Sequence, residues 1–415
     1  MRQVVWLLFL FVVAVIAAGT LGNNEGLVVV YWPPWRIDLS LNLFVLLWVA
    51  VGVAAYLIVG AGVRLAGLPE RARIWRGQQR ERGAQAALRE AQGLLFAGRF
   101  SRAHKAARRA LEIRAATPEL RDDAEFAALA HLLAASSLHR LQDRVRRDEQ
   151  LLAAQTLLGQ GGAPAAVAEA AQLMAAEWAV EDRDADRALG HLALLPAGVG
   201  RRTQALRVRL QAHRLARQPL EALKTARLLA KHQAFAPAAA QGLLRSLAAE
   251  ALDSARDADQ LRRVWMQLEN ADRRDPFVTA KAALQAAAVG SAADARGWLR
   301  PHWEELPRLG ELERAAVLEA FLRVLPGLSA DWLPLLEASV VAMPQDPAVA
   351  HVVGRAMAER KLWGRSRRLL ESATSLPGGS VDLRRQAWRA LAEIAEAEGD
   401  EARAQHFYRQ SATGT

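Results

Sequence analysis

Two long uncharged runs dominate the hydrophobic pattern at the N-terminal side of the chain. Residues 4–21 read VVWLLFLFVVAVIAAGTL, and residues 43–63 read LFVLLWVAVGVAAYLIVGAGV. As helices they would extend about 27 Å and about 31 Å, which is enough to cross the hydrocarbon layer of a membrane. The pattern predicts that residues 1–63 form a transmembrane hairpin of two helices with a short loop between them.

The first run has an alternative interpretation as a cleaved signal peptide. Arg2 precedes it, and Ala17, Ala18 and Gly19 supply small residues near its end. The apolar run is, however, longer than the roughly 7 to 15 residues that such a segment uses. We therefore favour the hairpin of two spans.

The distribution of arginine predicts the orientation of this hairpin. One arginine, Arg2, precedes the first span, and six closely follow the second: Arg64, Arg71, Arg73, Arg76, Arg80 and Arg82. Positively charged residues near spans remain on the cytoplasmic side. Both termini of this multi-pass protein are predicted to be cytoplasmic, and the connecting loop is predicted to lie on the far side, which is the periplasm if the cell is Gram-negative.

The loop itself has a strand-like pattern. The runs LVVVYW and WRIDLSL are β-branched or alternating, and Pro33 and Pro34 separate them at the position of a turn. The pattern predicts a small hairpin on the membrane surface, with Tyr31, Trp32 and Trp35 in the headgroup layer, where amphipathic rings are favoured. The alternatives are a simple connector with interfacial anchors and a periplasmic binding motif.

The rest of the chain is rich in alanine and leucine and predicts an all-α fold. Its clearest unit is AWRALAEIAEAEGDEARAQHFYRQSA, residues 387–412, which has the spacing of a tetratricopeptide repeat. Trp388 and Leu391 share one face of a first helix, and Gly399 ends that helix. Ala404 lets a second helix approach closely, and Tyr408 is predicted to pack beside it.

The same small-residue position recurs along the chain at steps near 34 residues. The predicted packing positions in the other repeats are Gly98, Ala103, Ala188, Ala222, Ala295, Gly354 and Ser366, with a weaker match at Leu261 and a position near Leu333. We predict an Arg-rich juxtamembrane helix over residues 64–92 and a cytoplasmic solenoid of tetratricopeptide type over residues 93–415. The repeat register stays open over residues 115–170 and 310–345.

In such a solenoid the first helices of the repeats line a concave face that binds partners. The predicted partner-binding positions on this face are Arg207, Gln211, Arg214, His351, Arg355, Arg389, Glu393 and Glu396. The alternative for each of them is an ordinary solvated surface.

The net charge and the reactive residue types exclude several classes of function. The net charge of +10 arises mostly from residues 64–114, which hold 13 basic and 4 acidic residues. No basic and aromatic interleaving of the kind that binds nucleic acid is present, so we assign this block to anionic lipid. The absence of cysteine excludes thiolate sites. Nucleotide-binding and hydrolase motifs are absent, and the 9 histidines are scattered, so we predict neither an enzyme nor a metal site.

Three segments resemble the HemY proteins of proteobacteria, which are encoded with haem-biosynthesis genes. They are GLVVVYWPPWRIDLSLNLFVLL, GLPERARIWRGQQRERGAQAALREAQGLLFAGRFSRAHKAARRALE and RKLWGRSRRLLESA. The resemblance implies an inner-membrane protein associated with a late step of protohaem IX synthesis, with no demonstrated catalytic site. A flavin-dependent protoporphyrinogen oxidase shares the family's name, but this chain has no GxGxxG after a strand, so that activity is not transferred.

The resulting hypothesis is a non-catalytic membrane scaffold that binds or organises late haem-pathway enzymes or a porphyrin, without a resident cofactor. The alternatives are an envelope-assembly scaffold unrelated to haem and a carrier that binds haem or porphyrin through histidines of the array.

Overall fold

The computed structural model describes residues 13, 25–66, 68–160 and 164–413, and the chain divides into two compact units, Met1–Leu157 and Leu158–Thr415. The fold is mostly helical, as the composition predicted. The first predicted span, residues 4–21, lies outside the described residues apart from Val13.

The first unit begins with an antiparallel hairpin of strands β1 (Leu27–Trp32) and β2 (Trp35–Ser40). Pro33 and Pro34, joined by a cis peptide bond, form its turn. The strand-like runs in the sequence therefore form the predicted strands. Helix α1 (Leu41–Ala66) follows β2 without a linker.

Within α1, residues Leu41–Ala61 are long and apolar enough to cross a membrane, with a mean hydropathy of 2.5 and none of the span buried within the protein. Among the described residues this is the one helix with that property. It overlaps the second predicted span, residues 43–63.

Three further helices complete the packed part of the first unit: α2 (Leu68–Phe96), α3 (Phe100–Ala115) and α4 (Ala124–Arg140). A fourth, α5 (Arg144–Gly159), begins here and ends just beyond the unit's boundary. Alanines dominate the contacts, because Ala84, Ala87 and Ala91 of α2 are buried against the buried alanines of α3. Helix α2 is continuous from the Arg-rich segment into the first packed helical hairpin.

The second unit is a series of helices joined by short turns. They are α6 (Ala165–Glu181), α7 (Ala185–Ala193), α8 (Thr203–Leu215), α9 (Pro219–Lys231), α10 (Pro237–Asp253), α11 (Ala258–Gln267), the one-turn α12 (Asn270–Arg273), α13 (Pro276–Ala288), α14 (Ala292–Glu304), α15 (Glu311–Arg323), α16 (Leu333–Ala342), α17 (Pro347–Glu359), α18 (Trp363–Ser375), α19 (Val381–Ala397) and α20 (Glu401–Thr413). Most first helices pack against the second helix of their pair, and α10, α13, α15, α17 and α19 also contact one another in sequence.

A left-handed turn residue sets the geometry of most helix pairs. Gly98, Gly290 and Gly399 have φ of 72°, 77° and 80°, and the residue five positions later is a buried small residue, Ala103, Ala295 or Ala404. Glycine adopts this conformation without a Cβ clash. The turn therefore brings the fourth residue of the second helix against the first helix, and in these three pairs that residue is alanine.

Neighbouring pairs are also joined by arginine contacts to helix caps. Asp275 and Asp346 accept the first backbone N–H groups of α13 and α17, as N-caps do. Arg245 Nε of α10 lies 2.7 Å from Asp275 Oδ2, and Arg314 Nε of α15 lies 3.1 Å from Asp346 Oδ2. The same carboxylate therefore caps one helix and pairs with the preceding first helix.

Candidate functional site

Seven predicted packing residues occupy the contact between the two helices of a pair. The small residues Ala103, Ala188, Ala222, Ala295, Ser366 and Ala404 are all buried, and so is Leu391. Each small residue is the fourth residue of its helix. The weaker match, Leu261, is also the fourth residue of its helix and is buried.

Gly354 provides the closest helix approach of this kind. A Cβ built at Gly354 would lie 2.8 Å from Leu370 Cγ, and Ser366 Oγ donates a 2.7 Å hydrogen bond to the Gly354 carbonyl oxygen. A helix crossing this close leaves no volume for a methyl group.

Gly354→Ala is therefore expected to destabilise the second unit by about 1–3 kcal/mol, because Leu370 is fully buried and cannot swing away. The midpoint of urea unfolding, followed by circular dichroism on the detergent-solubilised chain, measures this. The matched control is Gly364→Ala in α18, where a Cβ meets nothing within 4 Å. Equal midpoints for the two variants would contradict the close approach.

The last pair departs from the prediction at Tyr408. Trp388 is half-buried and stacks on Phe407, with ring centroids 5.7 Å apart, whereas the Tyr408 side chain is 37% exposed. Partial desolvation, followed by a hydrogen bond to Glu396, raises the pKa of Tyr408. Phe407 packs on Trp388 of the first helix, whereas Tyr408 lies at the exposed edge of the contact beside Glu396.

The predicted partner-binding residues fall into three groups. Arg207, Gln211 and Arg214 are exposed on one side of α8. His351 is 4% exposed, so its prediction as a surface contact is wrong; it is enclosed between helices, and its Nδ1 has no partner among the described residues. Burial, aided by the charge of Arg355, lowers the pKa of His351 to about 4.

The third group lies together at a cleft in the second unit. Arg355 Nη1 on α17 lies 2.5 Å from Glu393 Oε2 on α19, and Arg389 Nε lies 3.6 Å from Glu393 Oε1. Glu396 is exposed one turn further along α19. The sequence positions predicted for one face are thus brought together across two successive repeats.

This cleft has a volume of about 290 Å³ and mixes apolar walls with the ion pair. Its apolar lining includes Leu322, Leu325, Trp363 and Ile394, and its charged lining is Arg355, Glu359 and Glu393. The arrangement provides a pocket for an apolar side chain next to partly exposed charged groups. Such a combination suits a protein or amphiphilic ligand better than it suits bond-making chemistry.

The lipid-facing arginines were predicted on the segment after the span. Arg73, Arg76, Arg80 and Arg82 are exposed on α2, and Arg80 Nη1 donates to the Ala116 carbonyl oxygen at 3.3 Å. The side chains of Arg64 and Arg71 lie outside the described part of the chain. Trp75 is also exposed, so this surface of α2 combines positive charge with an aromatic ring.

One helix pair was missed by the sequence pattern. Gln142 has φ of 61°, and Arg147 follows five residues later as the fourth residue of α5, so α4 and α5 form a pair of the same kind. Arg147 is buried, with Nε 2.7 Å from Asp148 Oδ1 and Nη1 3.3 Å from His139 Nδ1. The signal is absent from the sequence because glutamine replaces the turn glycine and arginine replaces the small residue.

No group of three histidine, cysteine, aspartate or glutamate side chains is placed to hold a metal ion in the part of the chain that the structure describes. These described residues define a helical-repeat protein that carries, on its N-terminal side, an apolar helix long enough to span a membrane.

Residues 26–142 match the family model described as the HemY protein N-terminus. Over these residues the match bears out the resemblance to HemY-type proteins. It includes the β-hairpin, the apolar helix and the first helical pair.

No curated protein matches the sequence. A solved structure described as "Structure of Naa15/Naa10 bound to HypK-THB" is similar at 15% identity with a TM-score of 0.25, over 76% of this chain and 56% of that chain. The chain thus spans little more than half the length of that relative, and a likeness this low carries no argument about partners.

Proposed function

We propose that this protein is a non-catalytic scaffold of the inner membrane that acts in a late step of protohaem IX synthesis. The observation that carries the proposal is the HemY-type match over residues 26–142, which includes the helix suited to span a membrane. The match supports a role linked to haem synthesis. The partners in this proposal are late haem-pathway enzymes or a porphyrin.

The proposed topology has two spans, residues 4–21 and 43–63, with both termini in the cytoplasm. The juxtamembrane segment 64–92 lies at the inner leaflet, and residues 93–415 form the cytoplasmic array. Each arginine held near an anionic surface contributes roughly 1 kcal/mol. The exposed positions Arg73, Arg76 and Arg82 support this assignment.

The proposed mechanism is binding at the first-helix face together with confinement at the membrane. The cleft around Arg355 and Glu393 receives a partner, and anchoring raises the partner's local concentration next to the bilayer. No bond is made or broken by this chain in the proposal.

Deletion of the gene is expected to cause accumulation of coproporphyrin or protoporphyrin, because a late step would lose its organising protein. Porphyrin intermediates extracted from the cells and quantified by chromatography provide the measurement. Normal porphyrin levels in the deletion strain would contradict the haem role and favour the envelope-scaffold alternative.

Complementation of the deletion strain with variants then tests whether the cleft is required for function. Arg355→Glu is expected to leave the intermediates elevated, whereas Arg368→Glu, an equal charge change on the exposed side of α18 outside the cleft, restores them. The double variant Arg355→Glu with Glu393→Arg keeps an opposite-charge pair but exchanges the two signs. If the double variant restores function fully, Arg355 acts through local stability and not through partner contact.

A further inference from the structure

The β-hairpin has two chemically different faces. Side chains opposite each other across an antiparallel pair point to the same face, and successive residues alternate. The pairs Val28–Leu39, Val30–Ile37 and Trp32–Trp35 therefore share one face. All six of these side chains are apolar, and we name this surface the apolar face.

The opposite face is polar in its centre. It carries the pairs Leu27–Ser40, Val29–Asp38 and Tyr31–Arg36. Arg36 Nε lies 3.0 Å from Asp38 Oδ1, and the Arg36 guanidinium carbon lies 5.9 Å from the Tyr31 ring centroid. Tyr31 therefore points away from Trp32 and Trp35, which the sequence alone had grouped with it.

Towards the turn no described residue covers the apolar face, whereas Val28 and Leu39 near its base are part-buried. Trp32 and Trp35 are 74% and 71% exposed, and Ile37 and Val30 are exposed as well. A two-stranded hairpin with uncovered apolar side chains is marginal in water. These side chains gain stability only where a second apolar medium removes them from water.

The position of the hairpin's base identifies that medium as the bilayer surface where α1 begins. Ser40 is followed directly by Leu41, the first residue of α1, and the Leu41 N–H donates a 2.8 Å hydrogen bond to the Gly26 carbonyl oxygen. Both ends of the hairpin are thus held at the start of the apolar helix. The two tryptophans lie at the other end, about 17 Å away at the rise of an extended strand.

We propose that the hairpin lies flat on the bilayer surface, with the apolar face toward the lipid and the Arg36–Asp38 face toward water. The occupant of the apolar face is the headgroup and upper acyl region of the leaflet in which α1 begins. A hairpin standing upright would hold Trp32 and Trp35 well outside the headgroups, where their preference for the interface is lost. The inference rests on the proposed membrane insertion of α1.

The test uses the absence of native cysteine. Val30→Cys and Val29→Cys are matched single variants, because the two valines are adjacent in β1, are similarly exposed and point to opposite faces. The full chain is spin-labelled and reconstituted into nanodiscs of phosphatidylethanolamine and phosphatidylglycerol. Power saturation compares collisions with oxygen, which concentrates in lipid, and with a water-soluble nickel chelate.

The expected result is an oxygen-to-nickel accessibility ratio severalfold higher for Val30→Cys than for Val29→Cys. Equal, water-like ratios would overturn the inference, because the hairpin would then stand clear of the bilayer. A label on Val30→Cys that is shielded from both reagents would also overturn it, since a protein partner or second copy would be covering the face.

A label at Val51→Cys, in the middle of α1, tests the membrane insertion of that helix separately from the placement of the hairpin. If this label is oxygen-accessible and the Val30→Cys label is not, the hairpin inference fails while membrane insertion stands. If the Val51→Cys label is itself accessible to nickel, membrane insertion fails, and the hairpin inference fails with it.

Discussion

Phe321→Ala is expected to lower the unfolding free energy of the second unit by about 3–5 kcal/mol. Phe321 on α15 is fully buried, and its ring centroid lies 4.3 Å from that of Trp303 and 4.9 Å from that of Trp332. Three consecutive helical segments, α14, α15 and the turn before α16, meet at this cluster. Removing the central ring leaves a cavity that two large, rigid indoles cannot fill.

The matched control lies on the same helix. Leu312→Ala removes an apolar side chain that is 76% exposed and is expected to change stability by less than about 0.5 kcal/mol. Phe321→Leu should lose much less than Phe321→Ala, because most of the volume is kept. Urea unfolding of all three variants provides the comparison. A loss under about 1 kcal/mol for Phe321→Ala would show that the cluster is not a packing centre.

Acidification is expected to destabilise the protein through His351. Its ordinary pKa of 6.5 applies to the unfolded chain, and burial lowers the folded value to about 4. The unfolded chain therefore binds the proton first, so the stabilisation is complete above about pH 6.5 and is lost as the pH falls toward 4. At about 1.4 kcal/mol for each pH unit between the two values, the loss is about 2 kcal/mol by pH 5.

His351→Gln removes this titration, so the dependence of its unfolding midpoint on pH between 8 and 5 should be shallower than that of the wild type by about 2 kcal/mol. His232→Gln, on an exposed histidine, is the control and should keep the wild-type slope. Parallel pH profiles for the His351→Gln variant and the wild type would contradict the assignment.

The packing of the repeats was largely predictable, because it depends on small residues that recur at a fixed position. Ala103, Ala222, Ala295 and Ala404 identify the second helices from the sequence alone, since each is a buried small residue at the same position of its helix. The strands beside Pro33 were predictable as well from their β-branched and alternating residues.

Turns without glycine weaken the repeat signal, although Ala188, Ala222 and Ser366 still identified three of these pairs. Gln142, Arg183, Arg217 and Lys361 adopt φ between 55° and 62°, a conformation that costs a non-glycine residue of order 1 kcal/mol and that no sequence rule anticipates. At Gln142, where arginine also replaces the small residue, the sequence pattern did not reveal the pair of α4 and α5. The fold tolerates the local strain because the packing of two helices over-determines the turn.

The sequence predicted which helix face carries the candidate site residues. It did not predict how exposed each of those side chains is. Arg355 and Glu393 were placed together by repeat spacing, and they do form an ion pair. His351 has the same predicted face, yet it is buried, because α17 packs closely enough at Gly354 to enclose the preceding turn. Helical periodicity gives a side chain's direction and carries no information about how near the next helix comes.

The shared cap carboxylates have a consequence for how the array comes apart. When α10 frays, Arg245 leaves Asp275, and the N-terminus of α13 loses the partner that orients its cap. Arg314 and Asp346 repeat this arrangement two steps along, between α15 and α17. Each of these ion pairs ties a first helix to the cap of the following first helix, so loosening on either side removes a contact from the other.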